Sequence, residues 1–331
     1  MIAEAKVHAV HYLARNVIER LVKPVPLEHK EGATLESARL LDQLGGDFHE
    51  SAQHYYTVYQ RADRVVEQAA GLIGLSQQLI NLRSFRQVRQ LLHLYRGEPA
   101  ILVDHLPEAG RLLFQAQVRE KEGWINDYEL GFFQSQDCFT QAGNLLEQIP
   151  SNDWGSKTKE CYSTTRHFLG RAHYGLAAFG VDRAHNVPKA IEYFDQALEL
   201  DEQFFDKTGF GHGWLARCYL LLGDVPRADM QIEKMERDFR SYGREGLMAH
   251  YFVILGLRSL QNGHLGFARE HFREAVRIRT EVELSPKGLA DAYLGIAMVY
   301  RREWNPIQTT AYTLKAIKAN PYSAFRGIIG A

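Results

Sequence analysis

The chain has 331 residues, 45% of them hydrophobic, and its 39 basic and 40 acidic side chains leave a net charge of -1. That balance gives no global field toward DNA or an anionic membrane, while the apolar content suffices for a continuous buried core. Three widely spaced cysteines, Cys138, Cys161 and Cys218, form no CxxC, which argues against a disulfide framework or a zinc cluster.

Nearly every segment has a helical period and almost none alternates, so an all-α chain is expected. Met1–Val22 reads as a first helix, halted by Lys23-Pro24-Val25-Pro26, whose prolines remove donors and bias their predecessors to extended geometry. Glu4, His8, His11, Arg15 and Glu19 interrupt its apolar run, so it does not read as a secretory signal. No apolar run approaches the ~18–20 residues of a membrane span, and a soluble, cytoplasmic protein in a reducing compartment is expected. Helices are then predicted over 34–44, 48–80, 84–95, 107–121 and 127–148. Tyr55, Tyr56 and Tyr59, at near-helical spacing, read as core, with a binding surface as the alternative. Ile149-Pro150-Ser151-Asn152-Asp153 is the best break, with Ser151 or Asp153 placed to cap the next helix. It divides a divergent α-helical repeat region, 1–150, from clearer repeats with a C-terminal tail helix, 151–331. Further helices are predicted over 157–180, 187–200, 208–222, 225–239, 244–262, 265–280, 287–303 and 306–319. Gly223-Asp224-Val225-Pro226 ends one helix and starts the next, as Asn305-Pro306 does later.

Within that succession one pattern recurs. Leu215, Ala216, Tyr219, Gly223 and Ala228 form one copy; Leu255, Gly256, Gly263, Ala268, Phe272 and Ala275 form the next. Ile296, Ala297, Tyr300, Ala316 and Pro321 form a third, and Leu169, Gly170, Ala190, Phe194 and Ala197 an earlier one with about eight extra turn residues, roughly Phe179 to Asn186. In the first two, a small residue at the helix crossing precedes the small residue of the partner helix by twelve positions, with a turn glycine between. Only Gly or Ala lets two helices cross so closely, and larger apolar residues fill the grooves beside the crossing. Thr309 and Thr313 replace the expected Ala and aromatic in the third copy. Upstream, Gly46, Ser51, Tyr55 and Val58, and later Phe139 and Ala142, fit only a turn and a second helix.

This arrangement resembles the tetratricopeptide repeat, clearly over 163–321 and only in fragments over 1–150. Its period of 40 to 41 residues resembles the long-helix variety found in kinesin light chains and bacterial peptide-sensing regulators. The resemblance implies a right-handed superhelix (α-solenoid) of antiparallel helix pairs, a scaffold that presents surface without performing chemistry. After the last copy Tyr322, Phe325, Ile328 and Ile329 make an apolar strip, expected to fold back as a cap, to contact another chain in self-association, or to continue into a longer protein.

Motifs that would carry chemistry fail on spacing. His49 and His54 flank Glu50 at i and i+5, about 140° apart on a helix, so they cannot share a metal as an i, i+4 pair does. Gly209-Phe210-Gly211-His212-Gly213 has neither the preceding strand nor the following Lys-Ser/Thr of a phosphate loop, and is expected to give an irregular entry into a helix at Trp214. No Gly-x-Ser-x-Gly elbow is present. No catalytic, metal or cofactor residues are assigned, and an enzyme is not expected.

In the repeat family, the first helix of each pair lines a concave groove at fixed positions. Carrying that register over gives Thr164, His167, Arg171 and Tyr174, then Phe210 and Arg217, then His250 and Gln261, and last Asp291, Arg301 and Arg302. The Lys/Asn carboxylate clamp of chaperone-binding members is not matched. Arginines in this register suit an acidic or carboxylate-bearing segment, because guanidinium grips carboxylate with two parallel hydrogen bonds; alternatively they pair with acidic residues of neighbouring helices. The expected function is a non-catalytic scaffold binding a peptide or protein segment. A second reading is the ligand-sensing half of a bacterial-type regulator that changes conformation on binding. A third, nucleic-acid binding through the arginine row, is opposed by the near-neutral charge.

Overall fold

The computed structural model describes residues 2–21, 23–43, 47–97, 105–204, 208–242, 245–282 and 288–320. The apolar tail Tyr322, Phe325, Ile328 and Ile329, with Pro321 and Gly46, lies outside them. Among the described residues the secondary structure is helical throughout, with fifteen α-helices in chain order. They are α1 (Ile2–Leu21), α2 (Leu35–Gln43), α3 (Phe48–Arg61), α4 (Val65–Asn81), α5 (Phe85–Gly97), α6 (Glu108–Tyr128), α7 (Phe132–Glu147) and α8 (Ser156–Ala178). Then follow α9 (Arg183–Phe204), α10 (Thr208–Leu222), α11 (Val225–Tyr242), α12 (Glu245–Gln261), α13 (Leu265–Arg277), α14 (Leu289–Arg302) and α15 (Pro306–Ala319).

The chain forms two compact units. One comprises Met1–Ala14, Asp127–Phe133 and Arg166–Ala331; the other comprises Arg15–Asn126 and Gln134–Thr165. In the first, the hairpins α10–α11, α12–α13 and α14–α15 repeat, and the leading helices α10, α12 and α14 also pack on one another in succession.

Two devices build each hairpin. The first is the turn: Gly180, Gly223 and Gly263 have φ of 81°, 78° and 77°. In each case the next amide reaches back to close the helix end, as in Asp224 N to Tyr219 O at 2.9 Å and His264 N to Ser259 O at 2.9 Å. The second is the crossing. A Cβ on Gly256 would lie 2.6 Å from the Phe272 ring, and one on Gly170 would lie 2.8 Å from Phe194. Fully buried Phe194 and Phe272 therefore rest directly on helix backbone. In the last hairpin Tyr312, one residue before Thr313, supplies the aromatic and stacks on Tyr300 at 5.5 Å. Asn305 caps α15 through Gln308 N at 3.1 Å.

The second unit uses the same crossing. Gly123 of α6 would clash at 2.6 Å with Phe139 of α7, sixteen residues on, the spacing of Gly256 and Phe272. Tyr55 is buried with its hydroxyl donating to Asp42 at 2.6 Å; Asp42 also accepts from Ser51 and, at 2.8 Å, from Gln78. Tyr56 stacks on His29 at 5.1 Å.

Several expected boundaries move. The single helix over 48–80 is two, because Ala62 is extended (ψ 136°) and its carbonyl accepts from Gln68 Nε2 at 2.7 Å. Asp127 ends α6 instead of starting α7, since Leu130 takes φ 63° and turns the chain. Ser151–Asp153 is a 3-10 turn whose residues do not cap α8; Gly155 O accepts the first amides of that helix, Thr158 and Lys159. The extra residues of the fourth copy lengthen α9 at its start, with Pro188 inside the helix. His173 holds this added turn through Asn186 at 2.7 Å, and Asn186 Nδ2 donates to Val181 O at 2.9 Å. The segment 265–280 ends as α-helix at Arg277 and continues as a π-helical turn, Ile278–Val282.

Candidate functional site: a tryptophan between two arginines

The glycine run 209–213 lies inside the opening turns of α10 and does not form an irregular entry. Its glycines are there for clearance. Cβ atoms on Gly209 and Gly213 would meet Leu247 and His250 of α12 at 2.4 and 2.8 Å, and one on Gly211 would meet Leu198 of α9 at 2.6 Å. The bare backbone lets α10 sit close to both neighbours and brings Trp214, 9% exposed, to the centre of a ring of polar and aromatic groups.

Those groups come from successive helices of the first unit. His167 and Tyr174 of α8 meet the Trp214 ring edge-on at 6.4 and 5.4 Å, and Phe194 stacks beneath it at 5.9 Å. His250 of α12 lies 6.1 Å from Trp214 and 5.8 Å from Phe210, which is 40% exposed at the rim. Arg171 and Arg217 place their guanidiniums 5.2 and 4.9 Å from the Trp214 ring centre, a cation–π arrangement on one indole.

The two arginines, equivalent in register, are partnered differently. Arg171 donates to the fully buried carboxylate of Asp127, in the last turn of α6. A carboxylate there opposes the helix dipole, so Arg171 is a structural necessity; removing it would leave a buried charge at a cost of about 3–5 kcal/mol. Arg217 is only 10% exposed, yet its carboxylate contact is Asp291 of α14 at 3.7 Å, beyond hydrogen-bond range. The Nε atom finds no protein acceptor in either side chain, so the difference between them lies in the carboxylate contact.

Charge in this ring is uneven. His250 sits well below its ordinary pKa of 6.5, first because it is buried and then because Arg217, Arg279, His167 and Arg171 surround it. Arg279 arrives from the π-helical turn and packs on Gly288 at the start of α14, 3.0 Å from where a Cβ would stand. Arg171 and Arg217 thus each face a carboxylate, Asp127 and Asp291, beside a neutral imidazole.

Six of the register-derived positions, His167, Arg171, Tyr174, Phe210, Arg217 and His250, therefore meet around Trp214, and a seventh, Asp291, faces Arg217. The others do not join them. Thr164 belongs to the second unit. Gln261 is exposed at the end of α12, its amide near Gly223. Arg301 and Arg302 line an open groove of about 910 Å³ with Leu265, Trp304 and Pro306, and Arg302 Nη1 donates to Leu260 O at 2.7 Å. The sequence reading missed Trp214 itself, Asp127 and Arg279. Trp214 sits one turn from Arg217 on α10, a signal that was available; the other two join from α6 and from beyond α13, where no spacing points to them. His49 and His54 lie elsewhere: the His49 amide donates to Asp47, and His54 Nδ1 meets Ser37 Oγ at 3.0 Å. No group of His, Cys, Asp and Glu among the described residues is placed to hold a metal. No described helix is long and apolar enough to cross a membrane.

Paired helices, closely crossed leading helices and glycine turns define a helical repeat fold of the tetratricopeptide-like class. No protein-family model matches the chain, and no curated protein matches it in sequence. Solved structures place it more closely by fold. A Rap protein complexed with competence and sporulation factor matches with a TM-score of 0.61 at 11% identity, covering 96% of this chain and 77% of that one. NprR in complex with its cognate peptide NprX matches with a TM-score of 0.60 at 14% identity, over 98% and 82%. The Rap conjugation gene regulator of the plasmid pLS20, solved with a peptide, gives 0.53 at 16% identity, over 86% and 73%.

Proposed function

We propose that this protein is a non-catalytic tetratricopeptide-like scaffold, of the long-period variety, that binds a peptide segment at the Trp214 ring. The carrying observation is the ring itself: an indole with two guanidiniums 5.2 and 4.9 Å from its centre, beside the half-exposed Phe210. Phe210 at the rim offers an apolar contact and the arginines beneath it directional donors, the two things an extended segment needs for affinity and register. The fold-level likeness supports this reading, because all three similar proteins were solved with a factor or peptide bound. Three free, buried cysteines suit a reducing cytoplasm.

A regulator's sensing role is the second reading, favoured by one observation. The ring draws side chains from α6, α8, α10, α12 and α14, so a ligand there would touch the contacts that set the spacing of successive repeats. Nucleic-acid binding is disfavoured, since Arg171 and Arg217 each face a carboxylate and form no free cationic row for phosphates.

Selection from a random peptide library tests the proposal, using the wild type beside Phe210→Asp, an exposed change, with equal folding checked by circular dichroism. Enrichment by the wild type and its loss in the variant is the expected outcome. Equal enrichment by both would move the site elsewhere, and none by either would remove the peptide reading.

A further inference from the structure

We propose that Asp291 stands in for a carboxylate of the bound peptide, and that a ligand binds by taking Arg217 from it. This inference rests on the peptide-binding reading and adds the ligand's chemistry and the way the site is held before binding.

The contrast between the two arginines carries it. Arg171 and Asp127 are mutually buried and hydrogen-bonded, a finished pair that no ligand would open. Arg217 is as deeply buried, at 10% exposure, but is offered a carboxylate only at 3.7 Å, beyond hydrogen-bond range. A guanidinium carries five donors in a planar fork and is stabilised most by a carboxylate in the fork plane at hydrogen-bond distance. Asp291 compensates the charge of Arg217 without completing that geometry. The Trp214 ring under the guanidinium, at 4.9 Å, fixes its position, so the fork is presented and does not have to be ordered by the ligand.

Asp291 is also the partner able to leave. It is 36% exposed, and it stands in the first turn of α14, where the helix dipole stabilises a carboxylate whether or not Arg217 is near. Displacing it strands no buried charge, unlike displacing Asp127. The surroundings suit an incoming anion: His250 is held neutral first by burial and then by the cations around it, Arg217 and Arg279 foremost. Phe210, at the open rim beside His250, gives an apolar neighbour for the residue next to the carboxylate. The carboxylate could be the peptide's C-terminus or an Asp or Glu side chain; the chemistry recognised is the same.

The test uses the full chain and three labelled pools of random hexapeptides. One has free C-termini and no Asp or Glu, one has amidated C-termini and contains Asp and Glu, and one is amidated and lacks both. Retention of the first or second pool over the third is expected, and which of the two is retained identifies the source of the carboxylate. Asp291→Asn should bind the retained pool about fivefold more tightly, the size of a released ion pair of this exposure, and adding Arg217→Gln should cancel the gain. Asp291→Ser, which keeps a helix-starting residue, serves if the Asn variant folds poorly. Equal affinity of wild type and both Asp291 variants for a carboxylate pool would overturn the stand-in role while leaving peptide binding intact. Equal retention of all three pools would overturn the carboxylate itself. Retention of none would defeat the peptide reading and this inference with it.

Discussion

His250 and His173 show how burial sets behaviour at the residue scale. Both are held below the ordinary imidazole value of 6.5, His250 by enclosure among arginines and His173 by enclosure beside Asn186, whose hydrogen bond opposes the shift. Above about 6.5 these rings are neutral in the folded and the unfolded chain alike, and stability is intact. As the pH falls below that value the unfolded chain takes up protons that the folded chain refuses, so stability drops until the folded values are reached. Urea unfolding at pH 7.5 and 5.5 should therefore show lower stability at pH 5.5, with a shallower loss in His250→Gln. A pH-independent midpoint across that window would contradict the enclosure of these rings. Bound carboxylate in the ring would lift His250 back toward its ordinary value, tying this titration to occupancy of the site.

Helix pairs are the scale at which most of the fold was legible. The C-terminal hairpins announce themselves because Gly223 and Gly263 occupy a left-handed turn that favours glycine, and because Gly256 lies under Phe272 where no Cβ fits. Upstream, the same turn is made by Arg83 and Leu130, at φ 62° and 63°, so the glycine signal is missing although the geometry is present. Gly123 and Phe139 kept the crossing legible at the sixteen-residue spacing, but without a turn glycine the pair went unrecognised. Trp304 makes the last turn at φ 55°, 92% exposed, and there Asn305-Pro306 marked the turn in place of a glycine. Two glycines of the α12–α13 hairpin separate clearance from flexibility. Gly256→Leu should cost about 1–3 kcal/mol by overpacking against Phe272. Gly266→Ala, with nothing within 4 Å of the added methyl, should gain about 0.4–1 kcal/mol by restricting the unfolded chain. Matching thermal shifts of the same sign in both variants would break this account of the crossing.

For the whole molecule, the similar solved structures share architecture at 11–16% identity, a range in which fold persists while side chains are almost wholly replaced. Function must then be argued from this chain's own ring. Register alone brought Arg171, Arg217 and His250 to one face, because whole-turn spacing on parallel leading helices is a local property. It could not say that Asp127 satisfies one arginine while Asp291 holds the other loosely, since those partners arrive from helices 44 and 74 residues away in sequence, 171 minus 127 and 291 minus 217. That asymmetry is where the account of function rests.

Amide hydrogen exchange, with and without a library-selected peptide at saturation, tests that account most directly. Slowed exchange in α10 and α12 around Trp214 and His250, with a change in the opening turns of α14 as Asp291 is released, is the predicted result. Protection confined to the second unit, or to the groove beside Trp304, would contradict it.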